Sequence, residues 1–398
     1  MAARKAIPLQ SELQFLRFLC RFGSLSLSTF ARLPRADLYY LHSPAQFLPV
    51  YLMSKLSTAP SGTLKDRPAC HAELGLASPL PLDKGILNQA PADKEILSAS
   101  GGSAGSGNRV QNDRNGGSPR TPRFIYDAHD FYSGLEPRKG RQAIMRDWVD
   151  PFYRRVEALC VRHASAVVTV CPGIAELLHR RYGCRPVVIR NCHDERLDRY
   201  AGVGLRDTLR LPPEAFLIVA VGNAKEGQAT DTAIEALSTL PDHVHLAFVG
   251  TGYDSSKTTV RHKDLAGRIH FVAPVKPFQV VPFIRSADAA ILLYYPRSLN
   301  YQFSLPNRFF QSVAAGLPLL YPGLAEIKRI ADEHRIGIEI EPRTPESIAA
   351  GLRRLLHDPH LRCALKENSQ KAGQALRWEK EETVLRDVIE RVLGDRPG

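Results

Sequence analysis

The chain reads as short apolar runs separated by stretches of helical period. In the second half the runs are Phe216–Val221, His245–Val249, Ile269–Val272, Ala289–Leu293, Pro318–Tyr321 and Gly337–Ile340. Apolar spacing between them predicts helices at about 229–239, 279–286, 306–315, 325–333 and 345–356, and a closing helix at about 378–395. Strands that are apolar throughout, alternating with helices, predict a parallel sheet covered on both faces. The first half alternates in the same way. Strands are expected at Asp37–Leu41, Phe124–Asp127, Ala166–Val170 and Pro186–Arg190, with helices at about 45–56, up to Arg162, and at 172–182. Pro151 is expected to break the second of these helices, because proline removes a backbone donor and crowds the preceding turn.

Residues 57–122 interrupt this pattern. Ser100–Gly107 alternates small and glycine residues, and Pro, Ser, Asn and Asp are frequent around it. Such a stretch buries too little apolar surface to offset its chain entropy, so a disordered insertion is expected. The expected organisation is α/β with two Rossmann-like lobes. Residues 1–56 begin the first lobe, 57–122 interrupt it, 123–205 complete it, and 206–398 form the second. A chain of 398 residues is long enough for two such cores.

Charge divides the halves unequally. The net charge is +12, with 28 basic against 18 acidic residues in 1–200 and 25 against 23 in 201–398. No nucleic-acid motif accompanies the basic half, so nucleic acid is not an expected partner. An anionic membrane surface is a candidate partner, because Phe15, Leu16, Phe18, Leu19 and Phe22 lie among Arg17 and Arg21. No run is long and apolar enough to span a bilayer, and no signal-peptide pattern opens the chain. The seven cysteines include no C-x-x-C pair, which fits a reducing compartment. The expected location is the cytoplasm, with peripheral attachment at the inner membrane face as its variant.

Two segments carry candidate chemistry. Val219–Gly227 runs from a strand through Gly222, Asn223 and Lys225 towards a helix. Open parallel sheets bind ligands beyond the carboxyl ends of their strands, where glycine permits close approach and lysine meets phosphate. The loop has neither the G-x-G-x-x-G nor the P-loop pattern. The second segment is Ser304–Pro318. Pro306 suits a first helical turn, which puts Ser304, Leu305 and Asn307 at a helix N-terminus that favours an anion. Arg308 and Gln311, three apart, share a face, one placed for a phosphate and the other for a sugar hydroxyl.

"SLPNRFFQSVAAGLPLLY" resembles the L-P-N-K-x-x-E-x-x-A-x-G-x-P helix of the retaining glycosyltransferases of family 4, which have the GT-B fold. "HLAFVGTGYD", "SADAAILL", "GIEIEP" and "RWEKEETVLRDVIERVL" extend the resemblance over about 214–395. "FIYDAHDFYSG" and "VVIRNCHD" carry it more sparsely in the first half, where Asn191 and Asp194 match a hinge motif. The resemblance implies transfer of a sugar from a nucleotide-sugar donor to a hydroxyl of a glycan or lipid-linked acceptor, with retention. It gives Arg308 a phosphate-binding role, matches Asn307 to the family's Asn, puts Gly222 and Lys225 in the loop that faces the donor phosphates, and sets His129 near the donor sugar and acceptor. It also implies a last helix that returns to the first lobe.

The departures are specific. The family's second Glu, on the donor ribose, is Gln311 here, and the first falls on Phe303. The usual Arg/Lys–Gly pair aligns with Gln228–Ala229, and no strand with a Gly-rich loop is visible before Asp37. No D-x-D motif is present, so neither a metal nor another cofactor is expected. A catalytically inactive nucleotide- or partner-binding protein and a sugar-nucleotide epimerase of the same two-lobe fold remain the alternatives.

Overall fold

A computed structural model describes residues 38–41, 70–71, 123–132, 143–198, 202–225, 227–254, 256 and 265–394. The expected helix at 45–56, the N-terminal aromatic and basic stretch, Ser100–Gly107 and the region before Asp37 lie outside these residues.

The first lobe holds β1 (Leu38–Leu41), β2 (Cys70–His71), β3 (Arg123–Ala128), α1 (Ala143–His163), β4 (Ala166–Thr169), α2 (Pro172–Tyr182) and β5 (Val187–Val188). Its strands are all parallel, in the order β2-β1-β3-β4-β5. The edge strand β2 falls inside the expected insertion and pairs with β1, Tyr39 opposite Cys70. α1 runs through Pro151 without a break. Pro151 is exposed, while Tyr153, Val156 and Cys160 are buried. The loss of one hydrogen bond on the wet side is outweighed by an anchored apolar face. α2 has Pro172 in its first turn and ends at Gly183 with φ 70°, the left-handed stop glycine adopts readily.

The second lobe runs α3 (Leu205–Thr208), β6 (Phe216–Val221), α4 (Thr230–Leu237), β7 (Val244–Val249), β8 (Ile269–Val272), α5 (Val280–Ile284), β9 (Ala289–Ile291), α6 (Leu299–Gln302), α7 (Asn307–Ala314), β10 (Leu319–Pro322), α8 (Ala325–His334), β11 (Gly337–Ile340), α9 (Pro345–His357), α10 (Pro359–Ala375) and α11 (Trp378–Gly394). The order is β11-β10-β9-β6-β7-β8, and every described pairing is parallel. The chain leaves β6 towards β7 and β8, then returns to place β9 on the other side of β6. That reversal opens a crevice at the carboxyl ends of β6 and β9, the position where doubly wound sheets bind ligands. β6 is buried at all six positions, as an interior strand covered on both faces must be.

α10 is a helix the apolar pattern does not announce. Asp358 caps it by accepting from the Leu361 N–H at 2.9 Å, and Pro359 stands in its first turn. α11 leaves the second lobe and packs under the first. Val388 and Val392 join Ile125, Val168 and Ile189 in one buried cluster. Arg123 donates to the Val392 carbonyl, and Glu381 accepts from the Arg190 N–H at 2.9 Å.

Candidate functional site

The loop after β6 is shaped around one side chain. Gly222 has φ +101°, and a Cβ there would stand 2.4 Å from Nη2 of Arg308. Glycine at 222 therefore lets the guanidinium lie flat against the loop. Arg308 sits in the first turn of α7, with its guanidinium 4.9 Å from the ring centroid of Tyr294, and Nη2 donates to the Asn223 carbonyl at 3.4 Å. Tyr253 donates to the Gly222 carbonyl at 2.6 Å. Burial pushes the Tyr253 phenol up to about 12 despite the nearby Arg308, so it stays a donor at neutral pH. Asn223 spends its side-chain oxygen on the Thr251 N–H at 2.9 Å. Its side chain thus ties two loops together, and its carbonyl faces Arg308.

α7 begins at Asn307, one residue later than the spacing predicts. Pro306 is the extended cap residue, with φ −75° and ψ 152°. Leu305 is buried, and Ser304 and Asn307 are half-buried at the helix start. Gln311 lies one turn below Arg308 and is only 7% exposed, on the side that α7 turns inward with Phe310 and Ser312. Arg308 is half-exposed at the crevice. The shared face is real, but only its N-terminal member is open.

Across the crevice stands the loop after β3. Nε2 of His129 is 3.0 Å from the Asp127 carboxylate, which is buried. Burial works against protonation of His129, but Asp127, through charge and hydrogen bond, and Asp130 outweigh it and raise its pKa. Desolvation raises the Asp130 carboxyl above its ordinary value, opposed by His129 and by Lys225. Lys225 belongs to the second lobe, so the two lobes meet electrostatically at Asp130.

Physical contacts reinforce this meeting. Asn300 on α6 accepts from the Phe131 N–H at 2.9 Å and donates to Asp130 at 3.4 Å. The Phe303 ring covers Gly173 at the start of α2, where a Cβ would stand 2.1 Å from Cδ1. The Phe303 carbonyl accepts from the Cys171 thiol at 3.3 Å. Glu326, buried at the start of α8, accepts from the Gly173 N–H at 2.7 Å and is held by Arg329 at 3.0 Å. A carboxylate at a helix N-terminus satisfies a donor the helix leaves open.

The structure thus gathers Gly222, Asn223, Lys225, Ser304–Arg308 and His129 around one crevice. It adds Tyr253, Tyr294, Asn300, Phe303 and Glu326, which sequence reasoning missed. Tyr294 lies three residues beyond β9, just after the apolar run 289–293, a position that the sequence pattern marks as the ligand-binding edge. Asn300 and Glu326 carry no such signal, because their partners lie 170 and 153 residues away in sequence. Among the described residues no group of three His, Cys, Asp or Glu side chains is placed to hold a metal ion.

Residues 215–358 match the family described as "Glycosyl transferases group 1", and residues 113–192 match the "Glycosyl transferase 4-like domain". D-inositol 3-phosphate glycosyltransferase from Xylanimonas cellulosilytica is 24% identical over 207 residues, which cover 50% of this chain and 48% of that protein. The match therefore spans about half the length of that curated relative. Among solved structures, sucrose-phosphate synthase from Thermosynechococcus elongatus has the same fold with TM-score 0.55 and 18% identity, covering 69% of each chain. HepE from Anabaena in complex with UDP-glucose superposes with TM-score 0.53 and 15% identity, over 68% of this chain and 72% of that one.

Proposed function

This chain belongs to the glycosyltransferases of the family 4 type with the GT-B fold, and we propose that it moves a sugar from a nucleotide-sugar donor to a hydroxyl of a glycan or lipid-linked acceptor, with retention at the anomeric carbon. The observation that carries this reading is Arg308 laid against Gly222 at the switch between β6 and β9, beside the N-terminus of α7. An arginine on a glycine loop next to open backbone donors suits a diphosphate. The likeness to a HepE structure holding UDP-glucose supports the same ligand class.

In the proposed reaction the bond from the anomeric carbon to the diphosphate oxygen breaks, and a bond to the acceptor oxygen forms. The acceptor proton passes to the departing diphosphate. The work of the protein is to hold the charge that develops on that leaving group, which Arg308, Lys225 and the α7 N-terminus are arranged to do. Ser304, Leu305, Pro306 and Asn307 shape that terminus, and Asn223 fixes the loop. Gln311 takes the ribose through a neutral amide, which requires it to turn from its inward position. His129 orients the donor sugar and acceptor from the opposite lobe, its charge set by Asp127.

A basic first half supports docking at an anionic membrane face, where a lipid-linked acceptor is carried. No described helix is long and apolar enough to cross a membrane.

The test is a panel of UDP-, GDP- and ADP-sugars, read first as a rise in the unfolding midpoint and then as release of the nucleoside diphosphate with a hydroxyl acceptor. Retention is read from the anomeric proton coupling of the product. Binding without any release on a broad acceptor panel favours the inactive nucleotide-binding alternative.

A further inference from the structure

Residues 299–303 form a strap that leaves the second lobe and touches three parts of the crevice. Tyr301 packs beside Gly227 in the loop after β6 and lies edge-on to Tyr294, at 6.2 Å between ring centroids. Tyr294 is the ring beneath Arg308. Phe303 rests on Gly173 at the start of α2. Between them, Asn300 reaches the loop that carries His129.

The Asn300 amide is fully specified by its two partners. The Phe131 N–H can only donate, so the oxygen of the amide must face it. The nitrogen then faces the Asp130 carboxylate, which can accept. One side chain of the second lobe therefore fixes both the backbone and the carboxylate of the 129–132 loop. Among the described residues, Asp127 and Asp130 of its own lobe are the charged groups that raise the pKa of His129, and Lys225 faces Asp130 from the other lobe.

We infer that Asn300 is a positioning residue: its amide sets the His129–Asp130 loop against the donor-facing loop of the second lobe, so that the first lobe's contribution to transfer depends on it. The inference rests on the proposed function for its purpose, but the placement itself is testable without a substrate. Asn300 touches neither Arg308 nor the α7 N-terminus through any described hydrogen bond, so it acts through the loop rather than on the diphosphate.

The experiment follows the His129 imidazole by NMR through a pH titration, with its signal assigned by loss in His129→Gln. Two variants give opposite signs. Asn300→Ala removes both hydrogen bonds and releases Asp130, so the His129 midpoint falls by the smaller share that Asp130 adds to that of Asp127. Asn300→Asp keeps the acceptor for Phe131 and adds a negative charge beside Asp130, so the midpoint rises. General loosening of the fold moves both variants the same way. A midpoint that Asn300→Ala leaves in place, or that Asn300→Asp lowers alongside it, overturns the inference. UDP binding by calorimetry is measured on the same samples and is expected to stay within about twofold of wild type, a difference under about 0.5 kcal/mol. If the wild-type protein binds no nucleoside diphosphate the proposed function fails, while the titration still judges Asn300. If UDP binds but the titration is flat, only Asn300 loses its role.

Discussion

Arg308 occupies the space that a side chain at Gly222 would fill, with its Nη2 2.4 Å from the position of the absent Cβ. The two residues are 86 positions apart in sequence, and each explains the other: the glycine clears the room, and the arginine gives the bare loop a positive lining. Gly222→Ala should therefore do two things. It strains a backbone at φ +101° by about 1–3 kcal/mol, and it pushes the guanidinium off the loop. The expected result is a lower unfolding midpoint together with weakened nucleoside diphosphate binding by calorimetry. A folded variant with full affinity contradicts the fit described here.

The contact between lobes yields a second expectation. Gly173→Ala places a methyl group 2.1 Å from Cδ1 of Phe303 and so forces the ring away from α2. The single variant should be destabilised, and Phe303→Leu in the same chain should restore part of the loss. Thermal unfolding of the two singles and the double gives the coupling directly. Simple additivity means that the ring does not rest on Gly173.

The pH dependence follows from His129. Its folded-state pKa is raised, by Asp127 and Asp130 acting against burial, so protonation stabilises the fold. That contribution is complete below the unfolded value of about 6.5 and is lost as pH rises through the folded value. Wild type should exceed His129→Gln in unfolding midpoint most clearly near about pH 6, with the gap narrowing towards about pH 9. A gap that widens with pH reverses the sign and rules out the Asp127 pairing as its source.

The second lobe was legible in the sequence because its central strands β6, β7, β9 and β10 are buried on both faces and its helices carry clear apolar stripes. β6 and α7 were placed to within a residue or two. α10 was missed because few of its residues are buried, Leu365, Ser369, Ala372 and Gly373, and three of these four are small or polar. The expected break at Pro151 failed because the local rule ignores the buried face of α1. At the candidate site, Gly222 and Arg308 stand out through motif and spacing, since both lie at strand or helix ends. Asn300, Phe303 and Glu326 were not, because their roles arise only when two distant segments are brought together across the crevice. Gln311 shows the converse: its spacing puts it on the face of Arg308, yet one turn further into the helix it is buried.

In the proposed reaction the crevice between β6 and β9 binds a diphosphate through Arg308. Calorimetric titration of the wild type and Arg308→Ala with UDP, and with GDP or ADP if UDP gives no heat, measures this directly. Loss of a charge-assisted contact should cost about 1.5–3 kcal/mol, or roughly 10- to 150-fold in affinity, with the variant still folded. Equal affinity for the wild type and a folded Arg308→Ala protein would contradict diphosphate binding through Arg308.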